Sequence, residues 1–379
     1  MKILQACAVE FTFDQFLAPL VCHLVEQGHD LHASFSFDET PSRSRLLLAK
    51  CSFHHLPIRR SISLSNLSLS IFRVVLFLRA NKFDIVHVHT PVASIVYRIA
   101  SLFVPSTSVY CTVHGFYFSE GQSLFVRSLA FLVEFCLSFL QKVTFFVSNE
   151  DRIVSRLLLP GPLSSKIFVG NGSNPAQYSP VGHNQKHFLK SSLGLSVDSI
   201  VLGYVGRMVS EKGVDLLLSA FERLADIYPN LVLVLCGSRL KSDYSDPVDQ
   251  LVDRILRLYP GRLIVTGFVQ DPSRWYQVMD LFCLPSLREG MPTSLIEAML
   301  TDVVPLVSDI RGSRELVAHS VNGYIFSPGS ESSLYSCLVS VLERIIDGRE
   351  ALVVESPRST VIRKGLTLDD VMSRYALHF

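Results

Sequence analysis

The chain has 379 residues, too many for one ordinary core, and this predicts two domains. A net charge of +1 argues against nucleic-acid binding, and eight scattered cysteines without a C-x2-C pair argue against a zinc site or a disulfide framework. Hydrophobic residues make up 48% and charged residues 18%, which suits buried parallel strands or contact with a membrane surface. The cysteines read as small core residues in a reducing compartment, so a cytoplasmic location is expected.

Residues 2–8 form an apolar run that reads as a first strand. They lack the basic start and long apolar core of a signal peptide. The glycine-free segment 9–14 reads as a loop. Residues 14–27 predict a helix with Phe16, Leu17, Leu20, Val21, Leu24 and Val25 on one face and Gly28 just past its end. A strand follows at 31–37, and the Ser- and Leu-rich stretch 61–70 reads as a loop and helix start. Short apolar runs at 85–88, 109–113 and 143–147 are of the parallel-sheet type. The stretch 124–147 is the most apolar. Arg127, Glu134, Gln141 and Lys142 interrupt it, leaving no clean span of about twenty apolar residues to cross a membrane. A helix lying on a membrane, or buried in the domain, stays open.

Residues 174–198 are polar and rich in Pro, Gly, Ser and His, and read as a linker. A second alternation follows, with strands at 200–205, 231–236, 263–266, 281–284 and 303–307. The expected division is a first domain at 1–174, a linker at 175–195, a second domain at 196–358 and a terminal helix within about 360–379. Both halves predict an α/β fold with doubly wound parallel sheets.

Two motifs carry the chemistry. In Glu289-Gly-Met-Pro-Thr-Ser-Leu-Ile-Glu297, Pro292 fits the first turn of a helix but not its interior. Glu289 and Gly290 then precede the helix, and Glu297 lies about one and a half turns inside it. The free amides of that first turn suit an anion, and the carboxylates suit hydroxyl groups. Upstream, the strand 200–205 ends in Gly206-Arg207, and a short loop carries Lys212 and Gly213 before an amphipathic helix at 216–224. That puts two cations at the carboxyl end of a strand, where open α/β sheets bind ligands. A guanidinium fork and an ammonium together suit a diphosphate.

Taken together, Gly206-Arg207, Glu211-Lys212-Gly213 and Glu289 to Glu297 resemble the retaining GT-B glycosyltransferases of family 4. Asp84-Ile-Val-His-Val-His-Thr-Pro91, Thr112-Val-His-Gly-Phe116 and Val169-Gly-Asn-Gly172 resemble the bacterial branch that builds capsule, exopolysaccharide and O-antigen chains. Residues 308–316 and Asn322-Gly323 are also similar. The resemblance spans nearly the whole chain. It implies two Rossmann-like domains with a cleft between them, the last helix crossing back to the first domain.

The resemblance also implies roles. Arg207 and Lys212 would hold the diphosphate and stabilise the leaving nucleotide. Glu289 would contact the donor sugar, with Gly206, the amides of Gly290, Met291 and Thr293, and the ring of Pro292 around the donor. Glu297 would accept from the ribose, and 267–269 with Pro285-Ser286 would line the base pocket. His114 would contact the donor sugar or phosphate. His89, Thr90 and Phe13 would lie on the acceptor side; His87 and His89 alternate, so only one can face the cleft.

No D-x-D occurs, so no metal is expected, and no cofactor beyond the nucleotide sugar, with UDP favoured. The implied acceptor is a saccharide on a polyprenyl diphosphate at the inner membrane face. Arg59, Arg60, Arg73, Arg79 and Arg127 among apolar residues fit peripheral contact there. A nucleotide-sugar epimerase and a non-catalytic nucleotide-sugar binder are the rival functions.

Overall fold

The computed structural model describes all residues except 39–42, 59–63, 117, 119–122, 160–164, 240–247 and 349–351. Arg59 and Arg60, and the start of the 61–70 stretch, therefore lie outside the described residues. The chain divides into two compact units, Met1–Gly170 with Val371–Phe379, and Asn171–Asp370.

The first unit is built on seven parallel strands. These are β1 (Lys2–Val9), β2 (Asp30–Ser36), β3 (Cys51–His55), β4 (Ile85–Val88), β5 (Ser108–Val113), β6 (Val143–Phe146) and β7 (Ser165–Phe168), in the order β3-β2-β1-β4-β5-β6-β7. β1, β4 and β6 are almost wholly buried, as expected where helices cover both faces of a parallel sheet. β3 and β7 escape the sequence pattern because they are sheet-edge strands whose residues are mostly only half-buried.

The second unit holds six parallel strands. They are β8 (Ile200–Val205), β9 (Leu231–Cys236), β10 (Leu263–Gly267), β11 (Leu281–Leu284), β12 (Val304–Ser308) and β13 (Tyr324–Phe326), in the order β10-β9-β8-β11-β12-β13. Only three-residue β13 goes unread in the sequence. The α/β fold with two doubly wound sheets is what the alternation predicts. Among the described residues no helix is long and apolar enough to cross a membrane.

Three expectations change. Residues 9–14 are not a loop: helical backbone starts at Glu10–Thr12 and passes through a π-helical turn, Phe13–Leu17, into Ala18–Glu26. Glu10 is buried there because Arg45 Nη1 lies 3.2 Å from its carboxylate and the Asp38 amide donates to it. The π turn moves the buried face, so Phe13 is inside and Phe16 is exposed.

The expected linker carries a helix, His183–Ser192, which belongs to the second unit. Its polar sequence hides it: Lys186 and Lys190 bind Asp280 at 2.7 and 3.4 Å in place of a wide apolar face. The terminal helix runs Leu368–Ala376, and from Val371 onward it belongs to the first unit. There Tyr375 meets Thr112 and Arg374 donates to the Val169 carbonyl. Five cysteines (Cys7, Cys51, Cys111, Cys236 and Cys283) are buried, while Cys22 and Cys136 are exposed.

Candidate active site

In the second unit the strand order reverses at β8. The carboxyl ends of β8 and β11 therefore flank a topological switch point, the place where open parallel sheets hold ligands. Three loops converge there: Gly206 to Gly213 after β8, Pro285 to Pro292 after β11, and the turn after β12 that reaches Gly312. The Leu287 amide donates to the Glu211 carbonyl, and Ser308 Oγ donates to the Ser286 carbonyl at 2.5 Å.

Two glycines let these loops touch. Gly213 has φ +68°, and a Cβ there would stand 2.1 Å from the Pro285 carbonyl oxygen. Gly312 has φ +75°, and its Cβ would stand 1.9 Å from the Gly290 carbonyl oxygen. Gly213→Ala is expected to cost about 2 kcal/mol of stability and to lower turnover, because the strain falls on the residue beside Lys212. Thermal unfolding and an initial-rate assay check this; an unchanged melting temperature would contradict it.

The sequence separates Lys212 and Glu289 by 77 positions, and the fold brings them to an ion pair. Lys212 Nζ donates to Glu289 Oε1 at 2.6 Å, and Ser286 Oγ donates to the same oxygen at 2.8 Å. Both charged side chains are largely shielded from water, which strengthens their attraction.

Arg207 is oriented differently. Its guanidinium lies 3.4 Å from Glu211, and its carbonyl accepts from Tyr204 Oη at 2.7 Å. Glu211 also takes Arg288 at 2.6 Å. Burial disfavours the Glu211 carboxylate, but Arg288, Lys212 and Arg207 outweigh it and hold its pKa below the usual range. Glu211, Ser286 and Arg288 are thus parts of the constellation to which the motifs assign no charge role. Their signal was adjacency to Lys212 and Glu289.

The helix Thr293–Leu300 begins one residue after Pro292, which stands at its N-cap with φ −72° and ψ 117°. Gly290 and Thr293 are half-buried, but the side chains of Met291 and Pro292 are turned inward. Met291 can therefore offer a ligand only its backbone. Its carbonyl accepts from Asn171 Nδ2 at 2.6 Å, which ties the Asn171 motif to this loop.

Glu297 is half-buried, and Tyr276 Oη donates to its Oε2 at 2.9 Å. Burial pushes its carboxyl up to about 7, against hydrogen bonds from Tyr276, Tyr178 and Ser173. The two tyrosines belong to no motif, so sequence reading misses them. At the ends of β9 and β10 the Gly237 amide donates to the Gly267 carbonyl, and Phe268 is exposed beside them. Gly206 accepts no Cβ without meeting Tyr204 Oη at 2.7 Å.

In the first unit His114 follows β5 and His89 follows β4. His89 is fully buried: its Nε2 meets Gln5 Oε1 at 2.9 Å and its Nδ1 meets His114 Nε2 at 3.3 Å. His87 is also fully buried, against Thr112 Oγ1 at 2.7 Å. The alternation rule, which would send one ring outward, fails because β4 is covered on both faces. Burial pushes His114 down to about 4 and holds His87 and His89 well below their usual value, so all three rings are neutral near pH 7.

Thr90 has φ +65° and a buried hydroxyl without a hydrogen-bond partner. Phe13 packs at 5.0 Å on Phe35 and at 5.5 Å on Phe53. Fully buried side chains cannot touch an acceptor as they stand. His89 and Phe13, expected on the acceptor side, are both fully buried here. Among the described residues no cluster of three or more His, Cys, Asp or Glu is arranged to hold a metal ion.

Two family models match the chain. One, described as glycosyl transferases group 1, matches residues 185–348, and a glycosyl transferase 4-like domain matches residues 14–160. Between them they take in β2 to β6 of the first sheet, all six strands of the second, and the Lys212–Glu289 and Arg207–Glu211 pairs. The chain is a GT-B glycosyltransferase of family 4.

This glycosyltransferase has relatives in surface-polysaccharide assembly. It is 29% identical to the UDP-Gal:alpha-D-GlcNAc-diphosphoundecaprenol alpha-1,3-galactosyltransferase of Escherichia coli, over 75% of this chain and 73% of that one. It is 24% identical to the capsular polysaccharide biosynthesis glycosyltransferase CapM of Staphylococcus aureus, over 82% of this chain and 78% of the other. Among solved structures, Alr3699/HepE of Anabaena in complex with UDP and glucose superposes with a TM-score of 0.79 at 21% identity. That match covers 100% of this chain and 98% of the other. It is a likeness of GT-B fold.

Proposed function

We propose that this enzyme transfers a sugar, with retention and without a metal, from a UDP-sugar to a saccharide on a polyprenyl diphosphate during surface-polysaccharide assembly. The observation that carries the donor half is the Lys212–Glu289 pair at the β8/β11 switch point, with Arg207 on the same loop. On donor binding, Lys212 and Arg207 turn to the diphosphate and offset the charge that grows on the leaving nucleotide. Glu289, released from Lys212, accepts from sugar hydroxyls beside the amides of Gly290 and Thr293. Glu297 accepts from the ribose. A neutral His114 suits a sugar hydroxyl better than a phosphate.

Retention follows if the acceptor attacks from the face the nucleotide leaves, its proton passing to the departing phosphate oxygen. The acceptor half draws on the diphosphoundecaprenol-linked substrate named for the Escherichia coli relative. A thermal-shift panel of uridine, guanosine and adenosine diphosphates tests the donor half. Uridine diphosphate is expected to raise the melting temperature most, and Arg207→Ala to remove most of that rise. No shift with any of the three would defeat the donor-site assignment.

A further inference from the structure

In the first unit the strand order reverses between β1 and β4, so the carboxyl ends of these strands flank a second switch point. Three polar side chains line up across it. Gln5 stands on β1, His89 follows β4 and His114 follows β5. Gln5 and His89 are fully buried, whereas His114 is half-buried. Burying such groups is costly unless their hydrogen bonds are made. Here they are made in series: Gln5 Oε1 lies 2.9 Å from His89 Nε2, and His89 Nδ1 lies 3.3 Å from His114 Nε2.

The series has a direction. An amide oxygen only accepts, so His89 Nε2 carries a hydrogen and donates it to Gln5. A neutral imidazole has one ring hydrogen, which leaves His89 Nδ1 as a lone pair. His114 Nε2 must then carry the hydrogen that points at it, and His114 Nδ1 is a lone pair in turn. Burial keeps both rings in the neutral form that this requires. Among the described residues His114 Nδ1 has no hydrogen-bond partner, and it is not sealed from solvent as the unpartnered Gln5 Nε2 and His87 Nδ1 are. The open end of the series is thus an acceptor.

From this we infer that Gln5 and His89 are positioning residues. They fix His114 in its Nε2–H tautomer, so that Nδ1 accepts from a substrate hydroxyl and repels a phosphate oxygen. The substrate in this statement rests on the transferase reading above. Two residues that touch no substrate are added to it, and of the two contacts implied for His114, sugar or phosphate, the sugar hydroxyl is selected. With the Gln5 amide turned over, every bond of the series would reverse, and His114 Nδ1 would donate instead.

The full chain labelled with nitrogen-15 histidine tests this. Long-range proton–nitrogen correlation spectra distinguish a bare ring nitrogen from a protonated one, and the signals that vanish in His114→Gln belong to His114. In the ligand-free wild-type protein near neutral pH, His114 is expected to be protonated at Nε2 and bare at Nδ1. His89→Asn keeps an acceptor close to the place of Nδ1, so the same pattern and a turnover within a few-fold of wild type are expected. His89→Phe fills the space without an acceptor, and Gln5→Met removes the end of the series. In both, the His114 signals should move to a mixture of tautomers and turnover of the nucleotide sugar should fall about tenfold. The melting-temperature rise given by uridine diphosphate alone should persist in both, because no phosphate contact is lost.

The wild-type spectrum decides the direction without any core substitution: a proton on His114 Nδ1 overturns the inference. So does a His114 tautomer that ignores His89→Phe and Gln5→Met, which would make the two residues packing partners only. Loss of the uridine diphosphate shift in a folded His89→Phe variant overturns it as well, since His114 would then serve the phosphate. The tautomer is read without ligand, so failure of this series and failure of the donor-site assignment are seen separately.

Discussion

Lys212→Ala is expected to lower kcat by about 10²- to 10³-fold at saturating donor, the usual loss when one preorganised donor to developing charge is removed. Two effects combine. The diphosphate loses a compact cation just where negative charge grows. Glu289, 12% exposed and bonded to Lys212 at 2.6 Å, is left with Ser286 Oγ as the other donor on that oxygen, and its charge is poorly matched. The stability cost of the unmatched acid is about 1–3 kcal/mol. Melting temperature and kcat together separate the two contributions. Glu289→Gln removes the charge but keeps an acceptor, so its melting temperature should fall less than that of Lys212→Ala. A Lys212→Ala enzyme that keeps its turnover within a few-fold would show that this ammonium has no part in leaving-group departure.

Glu297→Gln is expected to stabilise the unliganded protein at pH 8 and leave it unchanged below pH 4.5. Burial raises the carboxyl to about 7 in the fold, against an ordinary value of 4.5. Below the unfolded value both states hold the proton, and the native state bears no penalty. As pH rises through 4.5 to 7 the unfolded chain ionises first, so stability is lost, and the loss is complete above the folded value. The full difference corresponds to about 3 kcal/mol, and the half-buried side chain brings this to about 2 kcal/mol. For a unit of this size that is a rise of roughly 5 °C in melting temperature for the amide.

Donor binding supplies a second readout at the same residue. If ribose hydroxyls donate to Glu297, they favour its ionised form, and the bound donor lowers the pKa. A nucleotide sugar then binds more tightly as pH rises toward 7, and calorimetry in buffers of different ionisation enthalpy detects proton release. Glu297→Gln should remove both effects. Unchanged pH dependence in that variant would leave Glu297 as a purely structural partner of Tyr276 and Tyr178.

Local sequence carried much of this. The strands β4, β8, β9 and β11 are read to the residue, because continuous apolar runs bounded by turn residues have few other uses in a parallel sheet. Arg207, Lys212, Glu289 and Glu297 are legible because each sits at a strand end or helix start, where a motif needs few residues to state its geometry. The elements missed are those whose cause is not local. β3 and β7 lie at sheet edges and carry a weaker pattern, and the His183–Ser192 helix is anchored by lysines on Asp280. The 9–14 segment turns helical because Arg45 and the Asp38 amide, far along the chain, satisfy Glu10.

By itself, the sequence determined the α/β class and most strands of the two sheets, which depend on short-range period, and its motifs carried the family resemblance and marked the cations and acids of the loops after β8 and β11. Only the tertiary structure decided which of those groups meet. Lys212 pairs with Glu289 and Arg207 with Glu211. Tyr276 and Tyr178 surround Glu297, and His89 and Phe13 are fully buried. The physical reason is that ion pairing and burial are set by distance in space, and neighbours 77 positions apart leave no trace in the local pattern of the chain.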